Sequence, residues 1–152
     1  MTSEFTIAVH CLVLLSMKQK EMATSDCLAA SVSTHPARVR KVLSLLRKQG
    51  YVTTREGASG GYQLAIAEDE LTLGDLYHLL SEGSLKPNWC SGQKNSPCEV
   101  GSNMTDVMEQ IYCGGESVLR DYFSRITLQD VREQIEARSS RRDFLHLGGD
   151  AE

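Results

Sequence analysis

Arg38, Arg40 and Lys41 lie within a few positions of Thr34 and His35, and Lys48 and Arg55 follow downstream. Guanidinium and ammonium groups at this density suit phosphate oxygens, and an arginine can also bond bidentately to guanine. Ser33, Thr34 and His35 add short donors and acceptors that reach base edges or phosphate. Beyond Arg55 the chain reads Glu56-Gly57-Ala58-Ser59-Gly60-Gly61-Tyr62, a run whose glycines let backbone approach another surface closely. A second reactive set is made of thiols, Cys90, Cys98 and Cys113. Three cysteines can ligate a metal cluster, or two can form a thiol switch.

The elements that must hold the basic set follow from punctuation and period. Thr34 is a good N-cap and Pro36 suits a first helical turn, so a helix is expected from there to about Gln49, stopped by Gly50. Val39, Val42, Leu43 and Leu46 form its apolar stripe, which leaves Arg38, Arg40, Lys41, Arg47 and Lys48 outside it. Tyr51–Arg55 and Tyr62–Ile66 read as two strands around the glycine tip. Upstream, Phe5–Met17 reads as a buried helix with His10 packed in it. A short helix, Asp26–Ser31, follows a Ser25 cap. Cys11 and Cys27 fall in these apolar patterns and are expected to be buried.

Helix, turn, basic helix and hairpin in this order make a winged helix-turn-helix, whose second helix enters the major groove of double-stranded DNA. On the helix, Ser33, Thr34, His35, Arg38, Val39 and Lys41 are expected to meet the groove. Arg40, Lys48 and Arg55 are expected on phosphates. On the wing, Ser59, Gly60, Gly61 and Tyr62 complete the DNA-binding set.

The second half supplies a frame. Thr72-Leu73-Gly74-Asp75 is a capping-box start for a helix to about Ser81. Residues 83–97 form a long loop with the only Trp, Trp89, and Cys98 at its end. Val100, Met104, Val107, Ile111, Val118 and Tyr122 then follow a heptad-like spacing, the pattern of a homodimer seam. Gly114-Gly115 interrupts it, either to admit another backbone or to bend the helix. Thr127-Leu128-Gln129-Asp130 caps a last helix with Leu128, Val131 and Ile135 inward. The expected fold is mainly α with a small β-hairpin. Residues 1–82 form the winged helix-turn-helix domain, 83–99 a sensor-type loop, 100–137 the dimerisation and C-terminal helices, and 138–152 a flexible tail.

Charge partitions in the same way. The 152-residue chain carries −4 overall, yet residues 1–65 carry +4 and residues 66–152 carry −8. Basic charge thus gathers on the proposed reading head, as a nucleic-acid footprint requires. No run is long and apolar enough to span a membrane, and Thr6–Met17 lacks the flanks of a signal peptide. Five cysteines, an odd count, argue against a disulfide scaffold. A cytoplasmic location is expected. The four histidines are scattered, and the glycine run lies between strands instead of opening a helix, so neither a catalytic constellation nor a phosphate loop is expected. The chain reads as no enzyme. A winged-helix adaptor that binds protein instead of DNA is the alternative of a different class.

The segments AVHCLVLLS, THPARVRKVLSLLRKQGYV, REGASGGYQLA and LTLGDLYHLL resemble the Rrf2 family of bacterial winged-helix transcription regulators over about residues 1–135. The R-x-G-x-x-G-G-Y-x-L wing, Arg55 to Leu64, is the most specific part, and PCEVG near Cys98 is similar to the YwnA-like branch. The resemblance implies a homodimer joined by the long helix, a palindromic operator and, most often, repression. It also implies that many relatives hold an iron–sulfur cluster on three cysteines five or six residues apart. Cys90-x₇-Cys98-x₁₄-Cys113 departs from that spacing, and no cofactor is expected here; an iron–sulfur-cluster-sensing regulator, with a cluster on Cys90, Cys98 and Cys113 bridging two subunits, stays open as the alternative. A thiol switch remains, with Cys98 against the positive end of a helix dipole and Cys90 as its resolving partner. Incidental thiols, and zinc on Cys90, Cys98 and His78, are the other readings.

Overall fold

The computed structural model describes residues 1–18, 21–57, 59–89 and 91–147. In chain order these form α1 (Ser3–Lys18), α2 (Ser25–Val32), α3 (Pro36–Lys48), β1 (Val52–Arg55), β2 (Gly61–Leu64), α4 (Leu73–Leu80), α5 (Glu99–Phe123) and α6 (Leu128–Leu147). The fold is mainly helical with one antiparallel hairpin, as the sequence predicts.

A helix apolar on most sides belongs inside a fold. α1 is such a helix: Ile7, Ala8, Cys11, Leu12 and Leu15 are all buried. It packs against α2, α3, α4 and α6. Burial pushes the Cys11 thiol up to about 12. His10 departs from expectation. It is exposed, on the opposite side of the helix from the core, with Nε2 2.8 Å from the Ser31 hydroxyl.

α2 starts one residue earlier than expected, because the Thr24 hydroxyl accepts the Cys27 N–H at 3.2 Å. Only Leu28 and Ala29 of this two-turn helix face inward. Cys27, a hundred degrees round the helix from Leu28, is exposed and not buried as its sequence pattern suggests. Ser33 closes α2 in the left-handed region at φ 59°, with its N–H on the Ala30 carbonyl.

α3 buries Val39, Val42, Leu43 and Leu46, so the predicted stripe is the observed one. Its cap is His35, not Thr34: the imidazole Nδ1 accepts the Ala37 N–H at 3.1 Å. Gly50 then takes a left-handed φ of 79° and turns the chain into the hairpin. The strands pair from Val52↔Leu64 to Arg55↔Gly61. They are shorter than the sequence suggests, since the Tyr51 N–H stays on the Leu46 carbonyl at the helix end. Ala23 forms an isolated bridge on the far side of β2, exchanging both backbone bonds with Tyr62 at 3.0 and 2.8 Å. The turn before α2 is thereby joined to the hairpin.

Both capping boxes form. Thr72 and Asp75 exchange bonds of 2.9 and 3.2 Å, and Thr127 and Asp130 exchange bonds of 2.8 and 3.1 Å. The two caps sit side by side. The Leu73 N–H donates to the Ile126 carbonyl and the Leu128 N–H to the Leu71 carbonyl, each at 2.8 Å. Beneath them Phe5, Tyr77 and Phe123 cluster with ring centroids 5.5 to 6.2 Å apart.

α6 runs to Leu147, through the first part of the segment 138–152 expected to be a flexible tail. No Gly or Pro interrupts it before Gly148, and the Ser139 and Ser140 hydroxyls donate to the Ile135 and Glu136 carbonyls within it. Residues 148–152 lie outside the described residues.

Leu43 has no exposed surface and stands where α3 meets the core. Leu43→Ala is expected to cost about 2–5 kcal/mol of unfolding free energy. Ser44→Ala on the exposed side of the same turn should change it by less than about 0.5 kcal/mol. Urea denaturation followed by circular dichroism measures both.

Candidate nucleic-acid interface

Burying one stripe of α3 turns its other side to solvent. Arg38, Arg40, Lys41, Arg47 and Lys48 are all exposed, and so is Arg55 at the end of β1. Among the described residues none of these six cations is ion-paired. Lys86, Lys94, Arg120 and Arg132, by contrast, each rest on a carboxylate. Free positive charge is therefore gathered on α3 and the base of the hairpin.

Two of the arginines are positioned by hydroxyls of other helices. Arg38 donates to the Ser3 hydroxyl at 2.7 Å, and Arg40 to the Ser25 hydroxyl at 3.2 Å. Glu4 is an acid drawn in toward these cations. Its own backbone N–H and the Ser3 hydroxyl hold its carboxyl below the usual range against slight desolvation, with the fields of Lys41 and Arg38 adding to the effect. Ser3, Glu4 and Ser25 thus belong to this surface. The sequence reading missed them because the contacts span 15 to 35 positions, and no local pattern marks them.

The other predicted contacts divide. Ser33 and His35 are exposed and Thr34 is half-buried, all at the α2–α3 turn. Val39 is not available. It is fully buried on the inward stripe, so its assignment as a groove contact is corrected. Ser59 is exposed at the wing tip and Tyr62 is half-buried against the core. Gly60 and Gly61 are consumed by the fold itself. A Cβ on Gly60 would stand 2.2 Å from the Arg55 carbonyl oxygen, and one on Gly61 2.7 Å from that of Ala23. Their missing side chains are explained by closing the hairpin and docking it on Ala23, before any approach to DNA is invoked.

The long loop lies antiparallel along α5. Leu85 N–H donates to Glu116 at 2.8 Å, Lys86 pairs with Glu109 at 2.6 Å, Lys94 with Asp106 at 3.1 Å, and Gln93 N–H donates to the Gly101 carbonyl at 2.9 Å. Gly92 takes φ 96° where a Cβ would stand 2.3 Å from that same carbonyl oxygen. Tyr77 also donates to Glu116. Burial, then the adjoining Glu116, push the Tyr77 phenol up. Desolvation acts to raise the Glu116 carboxyl, but bonds from Tyr77, Leu85 and Gly83 together hold it below the usual range.

α5 buries none of its residues. Val100, Val107, Ile111, Val118 and Tyr122 of the predicted seam are between 50% and 70% exposed. The helix runs unbroken through Gly114-Gly115, and a Cβ at Gly114 would meet open space. Cys98 is the exposed N-cap of α5 and Cys113 is exposed further along it. Fifteen residues of one helix separate them by about 22 Å. A three-cysteine cluster on a single chain does not fit that geometry. Among the described residues no three His, Cys, Asp or Glu side chains are grouped to hold a metal ion. Cys90 lies outside the described residues.

A family profile described as Rrf2, an iron-dependent transcriptional regulator, matches residues 1–134. YwnA of Bacillus subtilis, assigned by name to the HTH-type transcriptional regulators, is 26% identical over 133 residues, covering 88% of this chain and 97% of its own. A crystal structure assigned as a transcriptional regulator from Lactobacillus plantarum superposes with a TM-score of 0.81 at 28% identity, over 100% of both chains. The IscR structure from T. potens shares the fold at a TM-score of 0.68 and 22% identity, over 91% of this chain and 89% of that one.

Two outcomes follow from the site's geometry. Gly60→Ala should lose about 1–3 kcal/mol of stability through the clash with Arg55, seen as a lowered Tm. Iodoacetamide labelling read by mass spectrometry should modify Cys27, Cys98 and Cys113 in the native protein at pH 8. Cys11 should stay unlabelled until urea unfolds the chain, since its buried thiol is still neutral at that pH.

Proposed function

The chain belongs to the Rrf2 family of transcriptional regulators and is no enzyme, and from that premise we propose that it binds a palindromic operator in double-stranded DNA as a homodimer and represses transcription there. The observation that carries the reading is the set of unpaired cations on α3 and β1, on a chain whose net charge is −4. An acidic protein that leaves its basic residues free on one face has a surface suited to a polyanion. Arg38 and Lys41, with Ser33, Thr34 and His35, would enter the major groove. Arg40, Lys48 and Arg55 would lie on phosphate, with Ser59 to Tyr62 as the wing. The exposed seam of α5 supports the homodimer, since apolar residues at this spacing want a partner helix. A cytoplasmic location goes with this reading. Among the described residues no helix is long and apolar enough to cross a membrane.

The input is proposed to be thiol chemistry at Cys98, with Cys90 as resolving thiol, in place of a three-cysteine cluster. Exposure of Cys98 where the loop meets α5 supports it, and so does the separation of Cys98 from Cys113. Oxidation at that junction would act on the helix that spaces the two reading heads.

Fluorescence anisotropy on duplexes recovered by selection from fragmented bacterial DNA tests the reading. The logarithm of the binding constant should fall linearly with the logarithm of salt concentration. Lys48→Ala should flatten that slope by about one, and Arg38→Ala should weaken specific binding by about 1–3 kcal/mol. Val107→Glu with Ile111→Glu should convert a dimer to a monomer in sedimentation. Failure to bind any duplex, or binding indifferent to salt, would leave the protein-binding adaptor. Peroxide should change DNA affinity in the native chain and leave Cys98→Ser unmoved.

A further inference from the structure

Arg38 ends a two-step chain of bonds that starts on another helix. Its Nη2 donates to the Ser3 hydroxyl at 2.7 Å, and that hydroxyl donates in turn to Glu4 Oε2 at 3.2 Å. Ser3 can serve here because α1 does not need it as a cap. The Thr2 hydroxyl accepts the Phe5 N–H at 3.3 Å and donates to the Leu80 carbonyl at 2.8 Å, which ties the first turn of α1 to the end of α4. On the other side, Val39 follows Arg38 along α3 and has no exposed surface. The backbone is therefore held at both ends of the chain of bonds, while Arg38 and Ser3 are exposed and Glu4 is half-buried. Arg40 differs. It rests on the Ser25 hydroxyl at 3.2 Å, and among the described residues that hydroxyl is bonded to no carboxylate.

We propose that Ser3 and Glu4 are positioning residues for base recognition, holding the Arg38 guanidinium for a single guanine of each half-site and keeping it off phosphate. That role rests on the DNA-binding reading and adds to it the kind of contact Arg38 makes. A guanine edge offers the acceptors N7 and O6 and carries no net charge. A guanidinium has more N–H donors than the Ser3 hydroxyl takes, so a pair remains for that edge. Bidentate contact depends on the plane of the fork, and a bond from a fixed helix sets that plane before DNA arrives. Phosphate is different, because it is an anion. The Glu4 carboxylate behind Arg38 repels it and leaves a neutral base unopposed. Glu4 is ionised at neutral pH, since its backbone N–H and the Ser3 hydroxyl hold its carboxyl below the usual range. The field of Glu4 reaches Lys41 as well as Arg38, the two cations on the groove side of α3. Arg40 has no such acid behind it and suits phosphate, where charge counts more than orientation.

Anisotropy of the full chain is measured on the duplex recovered by selection and on copies with each base pair of one half-site changed in turn. Changing one G·C pair to A·T should weaken the native chain by about tenfold or more. Arg38→Ala should abolish that preference and leave the salt slope as it is. Ser3→Ala should lower the preference about fivefold, and Ser3→Thr should keep it. Ser3→Ala added to Arg38→Ala should cost nothing further, because the two residues act as one unit. Glu4→Gln should reduce the preference about twofold to threefold while tightening binding to an unrelated duplex, since an anion has left the face. Thr2 caps α1, so Ser3→Ala keeps the fold, checked by its Tm. A Ser3 that only supports the fold would weaken matched and mismatched duplexes alike in the Ala variant. That result, or additive losses in the double variant, would overturn the proposal. So would an Arg38→Ala that spares the base preference and flattens the salt slope by about one, the mark of a phosphate contact. Failure of the native chain to bind any duplex would overturn the DNA-binding reading itself, and this role with it.

Discussion

The burial of one stripe of α3 against α1 is the contact from which the rest of the head follows. Val39, Val42, Leu43 and Leu46 take the inward side of a 13-residue helix, and no rotation of that helix buries four apolar residues equally well. The arginines and lysines are fixed outward as a result, without any contact of their own being required. Fixing α3 also fixes where Gly50 turns, and with it where β1 starts. β2 is then located twice, by its register with β1 and by the backbone pair between Tyr62 and Ala23. Basic helix and hairpin therefore present themselves as one rigid surface.

Charge adds a second layer. Four cations of the acidic half, Lys86, Lys94, Arg120 and Arg132, rest on carboxylates, and these bonds lay the long loop along α5 and tie α6 to Glu68. On α3 and β1 no cation is so paired, although Lys18 of α1 lies 3.9 Å from Glu21. Surface ion pairs of this kind are each worth about 0–1 kcal/mol. Their importance here lies in where they are missing, since an unpaired arginine is free to meet a phosphate.

What could be read in the chain was what repeats locally. The α3 stripe, the capping boxes at Thr72 and Thr127 and the helix that carries the exposed apolar residues of α5 all follow from periods or short motifs, and each is present. Misses occurred where a residue answers to something distant or to a competing rule. Thr34 is a common cap type, but Pro36 at the first helical position places the cap at His35. Cys27 and His10 lie in apolar stretches yet face outward, because α2 has one inward side only and His10 lies on the side of α1 turned from its buried stripe. Val39 suits both the stripe and the groove by its place in the sequence, and burial decides for the stripe. The anchoring of Arg38 on Ser3 and of Tyr62 on Ala23 spans dozens of residues and leaves no local trace.

The crossed backbone bonds between residues 71–73 and 126–128 bear on modularity. Leu128 has no exposed surface although it opens the last helix, and the Leu71 carbonyl and Leu73 N–H have their partners there. A cut in the chain at the end of α4 would strip these partners away and open the core beneath Phe5 and Tyr77. A swap of reading heads between relatives at that point would meet the same obstacle. The smallest transplantable unit is therefore not a continuous stretch of sequence. It comprises the first eighty or so residues together with the short strand-like link that enters α6, whatever is done to the long helix between them.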